Sequence, residues 1–433
     1  MLPKPAFRVR VLVAALLTAV CGSVSASELD GAIEAQVAEI LPGMIEIRHH
    51  LHQNPELGNQ EFETAAFLAA ELRKLGFGVR EKVAITGVIG TLVGGKPGPV
   101  VAVRADIDAL PVIEDTDLPF KSTRRTEFLG KDVGVAHACG HDIHMSVVLG
   151  VAKTLAGFKE DLPGTVKFIF QPAEEGPPPG EDGGASLMLE EGAFDPPTPE
   201  AIFGLHAWPI EVGVVGWAAG PTMASVDHFV IKVRGKQSHG AYPHLGRDPI
   251  VMAAQAVEAF QTIRSRNLSP LEPSVVTVGI LRGGERFNII PAEVHLEGTV
   301  RTFSTDTREE VKRRMEEILD GVTRAGGGSY EIVQYRNNAP ATINDPELAR
   351  KVRPSMVRVA GLDAVIETDP TMGGEDFAFF ANEVPGFYFR LGVVAPGTSS
   401  GGLHTPNFRA DDSSLEVGIR TMANIVVDYL SGE

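Results

Sequence analysis

Cysteine is nearly absent. The chain of 433 residues has two, Cys21 and Cys139, and the first falls in a leader-like stretch. A mature chain with one thiol forms no internal disulfide, so a disulfide scaffold is excluded. Cys139 is left as a reactive thiol, a buried apolar residue or a metal ligand. Positive charge is also short, with 39 basic against 56 acidic residues and a formal charge of −17. Aromatics make up only 6% of the chain, and no basic patch interleaves with them. Nucleic acid and a polybasic membrane attachment are therefore not expected as partners. Long apolar runs are missing too: the ten-residue stretch VLVAALLTAV is too short to span a bilayer.

That stretch follows Lys4, Arg8 and Arg10 and precedes the small residues of VSA before Ser27. A basic start, an apolar middle and a small-residue cut are the layout of a secretory signal peptide over residues 1–26. The expected product is exported, to the periplasm or the medium. Loss of the three basic residues takes its charge from −17 to −20. A lipoprotein signal through Cys21 fits less well, because Val20 is bulky where such signals want a small residue.

Beyond the leader, strands alternate with helices. TAAFLAAELRKLGFGV has helical spacing within a helical stretch from about Leu41 to Leu75, and VVAVRADID and GTVKFIFQPAEEG read as buried strands running into loops. This predicts an α/β domain whose chemistry lies in loops at the strands' carboxyl ends. Residues 223–337 change rhythm to strand–helix–strand–strand–helix–strand, the ferredoxin-like order. The predicted organisation is a catalytic α/β domain, 27–222 and 338–433, interrupted by an inserted ferredoxin-like lid or dimerisation domain.

GVAHACGHDIHMS packs His137, Cys139, His141, Asp142 and His144 together. Further candidates are Glu174 and Glu175 in QPAEEG, His206 in FGLHAWP, His404 in GGLHTPNF, and Asp106 and Asp108 in RADIDALP. A structural zinc site usually shows two short ligand pairs. Here only Cys-x-His is tight, and dispersed ligands with carboxylates among them point to a catalytic centre. A thiolate, imidazoles and carboxylates suit zinc or another borderline divalent ion. Adjacent glutamates point different ways, so one can bind metal while the other takes a proton from water.

RHHLHQNPELGNQEFETA, RADIDALPV, HACGHDIHMS, FQPAEEG, FGLHAWP, GKQSHGAYPHLGRDPI, FNIIPAEVHLEGTVRT, MGGEDFAFF and LHTPNF occur in that order. Together they resemble the M20 metallopeptidases, in the amidohydrolase branch of hippurate hydrolases, N-acyl-amino-acid deacylases and auxin-conjugate hydrolases. The resemblance implies that Cys139, His141, Glu175, His206 and His404 hold two divalent ions per subunit, zinc or manganese first and cobalt or nickel next. Cys139 is then the bridge, Glu174 the general base, and Asp108 the acid that orients the site. It implies a homodimer paired through the inserted domain, with His239 reaching the partner's site to stabilise an oxyanion. Asn288 and Arg301 would hold the leaving amino acid's carboxylate, with Gly373 and Gly374 of the MGGED motif beside the substrate. Asp106 falls where other branches carry a ligand histidine, and its role is open.

The implied activity is cleavage of N-acyl-amino acids, hippurate-like or N-acetylated, by a metal-activated water. A dipeptidase or carboxypeptidase of the same superfamily is the alternative; near RNNAPAT, Asn338 and Ala339 stand where glutamate-releasing relatives carry an arginine. Outside it stand an exported metal- or solute-binding protein, which has no use for an uncoordinated Glu174, and a cysteine hydrolase using Cys139. The GPPPGEDGG loop is long and could reshape the acyl pocket.

Overall fold

The apolar run VKFIF is buried on both sides, as a central strand of a covered sheet should be. It belongs to an eight-stranded sheet in the computed structural model, which describes residues 26–432. The expected leader lies outside the described residues except for Ala26, which opens the first helix. Among the described residues no helix is long and apolar enough to cross a membrane.

Across the sheet the strands run Gly78–Val83, Gly87–Val93, Pro163–Gln171, Lys96–Asp106, Ala201–Glu211, Gly386–Val394, Val215–Trp217 and Val365–Glu367. The four central strands are parallel, and antiparallel pairs flank them on both sides. Helices Ala26–Gln53, His141–Gly157, Pro346–Ala360 and Ser414–Ser431 pack together over one face. Gly184–Glu190 and Phe377–Glu383 cover part of the other. The expected helical stretch from Leu41 to Leu75 is two helices, Ala26–Gln53 and Phe62–Lys74. The break falls at Asn54–Pro55, where proline disfavours helical backbone in the residue before it.

From Val226 to Ala339 the chain builds a four-stranded antiparallel sheet in the order Ser274–Gly283, Glu293–Thr302, Val226–Arg234, Ser329–Ala339. Alternating burial along Val226–Arg234 turns one face to helices Pro249–Thr262 and Thr305–Gly326. Both helices are capped by side chains, Asp248 ahead of Pro249 and Ser304 ahead of Thr305. The arrangement is the ferredoxin-like one, inserted between strands of the larger sheet.

Candidate active site

Parallel strands end on one side of the sheet, and the candidate residues collect there. Lys96–Asp106 ends at Asp106, two residues before Asp108, and Pro163–Gln171 leads into Glu174 and Glu175. His206 lies within Ala201–Glu211, and His404 follows Gly386–Val394. Gly140, at φ +85°, turns the chain sharply so that Cys139 and His141 flank the start of a helix. His404 itself sits at φ +63° and donates its amide to the Ala138 carbonyl at 2.8 Å, which ties it to the cysteine loop.

Cys139 Sγ lies 3.4 Å from His206 Nε2 and 3.2 Å from His404 Nε2. His404 Nε2 is 3.0 Å from Glu175 Oε1, and His141 Nε2 is 3.8 Å from Glu174 Oε2. Three clusters of possible metal donors overlap: Cys139 with His141 and His206, Cys139 with Glu175 and His404, and His141 with Glu174 and Glu175. Cys139 belongs to two of them.

The second nitrogens of His141 and His206 are engaged. His141 Nδ1 faces the Asp108 carbonyl at 2.8 Å, and His206 Nδ1 faces the Ala207 carbonyl at 2.6 Å. A carbonyl only accepts, so both rings carry a proton on Nδ1 and turn Nε2 inward. His141 Nε2 is buried with no hydrogen-bond partner. A buried imidazole nitrogen without a partner, beside a thiol and carboxylates, is costly unless an ion fills the space between them. The donor set therefore fits a pair of divalent ions, with sulfur, imidazole and carboxylate favouring borderline metals. Burial and the charges of Glu175, Glu174 and Asp106 push the Cys139 thiol well up. A nucleophilic cysteine needs the opposite surroundings.

Asp108 touches two of these residues. Its carbonyl holds His141, and its Oδ2 accepts from the Glu175 amide at 2.9 Å. Glu174 lies beside the donors, its carboxyl pushed well up by burial and by the charges of Glu375, Glu175, Asp376 and Asp106.

Behind the donors is a buried network that the sequence reading did not assign. His144 Nε2 accepts from the Ala207 amide at 2.7 Å, so its Nδ1–H donates to Asp106 Oδ1 at 2.5 Å. Both nitrogens are used, and His144 is a support rather than a ligand. Asp106 Oδ2 accepts from Arg104 at 2.8 Å. Burial opposes its ionisation, but His141, His144 and Arg104 outweigh it and hold Asp106 well below the usual carboxylate range. This settles its geometry: Asp106 supports His144 and Arg104. Arg104 also donates to Gln171 at 2.8 Å and to Glu375 and Asp376 at 2.9 Å each. The sequence signal for these residues was charge within an apolar strand, RAD, and in GGEDF.

A cavity of about 440 Å³ opens in front of the donors, lined by Glu174, Glu175, His404, Gly374 and, from the inserted unit, Arg301. Gly374 is required by space: a Cβ there would lie 2.0 Å from Val226 Cγ2 and 3.1 Å from Arg301 Nη1. Gly373 packs beside Met223 and is not part of this lining. Asn338 and Ala339 line the cavity, as does Arg336, which the sequence reading passed over. Arg336 stands 3.7 Å from Asp182 in the long loop. His239 and Asn288 do not line this cavity. They sit together on a two-stranded ribbon, His239 paired with Ile289 and the Asn288 carbonyl accepting from Gly240 at 2.8 Å. The expected pairing of Asn288 with Arg301 at one carboxylate is thus not formed within one chain. The turn and strand that join them carry Asn288 away from the strand end where Arg301 sits.

Comparison with known proteins agrees with this geometry. Residues 102–428 match the model of peptidase family M20/M25/M40. An N-acetyl-L-cysteine deacetylase of Bacillus subtilis is 39% identical over 86% of this chain and 84% of its own length. Thermostable carboxypeptidase 2 of Saccharolobus solfataricus is 36% identical over 92% of this chain and 98% of its own. The crystal structure of the Bacillus subtilis YXEP protein, described as a dinuclear metal-binding peptidase from the M20 family, superposes with a TM-score of 0.76. It is 34% identical and covers 91% of this chain and 99% of that one. With overlapping donor clusters on the expected strand ends and likeness along nearly its whole length, this chain belongs to peptidase family M20/M25/M40 and is a metal-dependent hydrolase of amide bonds in small substrates.

Proposed function

We propose that the substrates are N-acyl-amino acids with a free α-carboxylate. The observation that carries this is Arg301, which reaches from the inserted unit into the wall of the cavity that holds Glu174, Glu175 and His404. An arginine there can clasp a carboxylate with two parallel hydrogen bonds and set the adjacent amide over the donors. The ions, held by Cys139, His141, Glu175, His206 and His404, would polarise the scissile carbonyl and acidify water. Glu174 then takes the water's proton and passes it to the leaving nitrogen. The relative named as an N-acetyl-L-cysteine deacetylase supports an N-acyl-amino acid, and the one named as a carboxypeptidase keeps the peptidase alternative.

The working form in this reading is a homodimer. Around His239 and Asn288 the inserted unit exposes Tyr242, Leu245, Val251, Ile289 and Phe287, the last 98% exposed. Such an apolar tip favours burial against a second copy, which would bring His239 to the partner's cavity. The leader supports export, and amino-terminal sequencing of the secreted protein should begin at Ser27.

The substrate reading is tested with N-acetylmethionine and its carboxamide. The free acid should have much the higher kcat/KM, and Arg301→Ala should remove most of that preference, at a cost of about 2–4 kcal/mol in transition-state binding. Equal kcat/KM values in the unmutated enzyme would overturn the reading; dipeptides cleaved faster than any N-acyl-amino acid would favour the peptidase alternative.

A further inference from the structure

A second, smaller recess meets the main cavity at Glu175, Gly176 and Pro178. Its walls are mostly apolar, with Leu57, Ala109, Leu110, Pro111, Phe128 and Pro178, and the polar side chains of Gln60, Asp108 and Glu175 also lie on its lining. The floor is fixed. Leu57 bridges to Ala109, Leu110 exchanges backbone hydrogen bonds with Ala136, and Leu57, Ala109 and Val135 form a buried cluster against which Phe128 packs. Phe128 ends the first strand of a short hairpin, Arg125–Phe128 with Lys131–Gly134, and is half-buried.

The geometry of an amide substrate gives this recess a use. With the amino acid's carboxylate at Arg301, the leaving half fills the main cavity. The scissile carbon lies at Glu174 and Glu175, and the acyl substituent must leave it away from Arg301. The recess is the apolar space that borders Glu175 beyond the main cavity's wall. Its volume is about 60 Å³, whereas an apolar cavity known to take a benzene ring measures roughly 150 Å³. By volume the recess suits an acetyl or propanoyl group better than a benzoyl group.

We propose that this recess is the acyl pocket and that Phe128, closing it, restricts the enzyme to short aliphatic acyl groups. The proposal rests on the N-acyl-amino-acid reading and narrows it, against the hippurate-like substrates. The test measures kcat/KM for N-acetyl-, N-propanoyl- and N-benzoylmethionine with the metal-loaded enzyme and its Phe128→Ala, Phe128→Leu and Phe128→Trp variants. Binding of the same three compounds to Glu174→Gln, alone and combined with each Phe128 change, is followed by calorimetry. Wild type should favour acetyl over benzoyl by at least about tenfold, within the range a pocket wall supplies. Phe128→Ala should raise the benzoyl-to-acetyl ratio by about tenfold or more in both kcat/KM and affinity, and Phe128→Leu by less. Phe128→Trp should lower the propanoyl-to-acetyl ratio. A wild type that cleaves benzoyl and acetyl substrates equally, or ratios unmoved by all three changes, would overturn the acyl pocket and leave the N-acyl reading standing. An enzyme that neither binds nor cleaves any of the three would overturn both.

Discussion

Glu174 and Glu175 are neighbours in sequence with different surroundings. Glu175 lies 3.0 Å from His404 and has its amide held by Asp108, whereas Glu174 faces Glu375 and Asp376. Glu174→Gln keeps the shape and removes the base, so metal content should stay at the wild-type level while kcat falls by about two decades or more. Metal analysis beside steady-state rates checks it; normal turnover would mean the proton goes elsewhere. Asp227 makes a different prediction. Its carboxylate is buried with both oxygens unpartnered. Burial raises its pKa from 3.8 to about 6, outweighing the pull of Arg308, Arg301 and Lys312, while Tyr335 faces it from the neighbouring strand. A carboxyl with a raised folded pKa contributes most below its unfolded value and loses that contribution as pH rises through about 6. Asp227→Asn should therefore raise Tm at neutral pH, and the gain should vanish below about pH 4. A gain that is the same at both pH values would rule out the carboxyl's titration as its source. At this scale the sequence was readable where donors are chemically distinctive, as in Cys-x-His and Glu-Glu. It was silent on His144, because the amide and carboxylate that occupy its nitrogens come from two other strands.

Helix His141–Gly157 owes its position to the turn before it. Gly140 has φ +85°, and a Cβ there would stand 2.7 Å from the Ala207 Cβ, next to His206. Gly140→Ala carries left-handed strain of about 1–3 kcal/mol and a clash that pushes the helix start from the strand. Lower Tm together with reduced metal affinity is the expected pair of effects, because Cys139, His141 and His206 meet across this contact. A variant with lower Tm but wild-type metal affinity would show that the turn matters for stability alone. Elements with a strong period were legible, including the alternation of DHFVIKVR and the capped helices of the inserted unit. The Arg125–Gly134 hairpin was not, since its strands are four residues each and mostly exposed, with little hydrophobic pattern to read. Nor does local pattern show that Asn288 and Arg301, on one continuous segment, are carried to separate places by the strand between them.

In the proposed reading the molecule divides its chemistry between a sheet that carries the donors and an inserted unit that carries Arg301, His239 and Asn288. In the dimer reading, Glu174→Ala and His239→Ala subunits are each inactive. Mixed under conditions of subunit exchange, they should recover activity, because one site of each heterodimer regains both groups. About one active site per heterodimer is the expected yield; proven heterodimers without recovery would place His239 outside the partner's chemistry. Domain order was legible because the insertion changes the rhythm of the pattern. Placement of His239 relative to a second chain was not, since an interface leaves no period in sequence.

Strand Gly386–Val394 is near the chain's end yet sits inside the sheet, between Ala201–Glu211 and Val215–Trp217, with His404 just after it. On the ribosome, residues 226–339 can complete their own sheet as soon as they emerge, with Val226 and Ala339 paired as a closed doorway. The larger sheet must wait with a gap in its middle for the stretch from Ala339 to Gly386, about fifty further residues. A growing chain consequently has its lid before it has its centre, and no truncated product lacking the last strand and His404 can assemble the complete donor set.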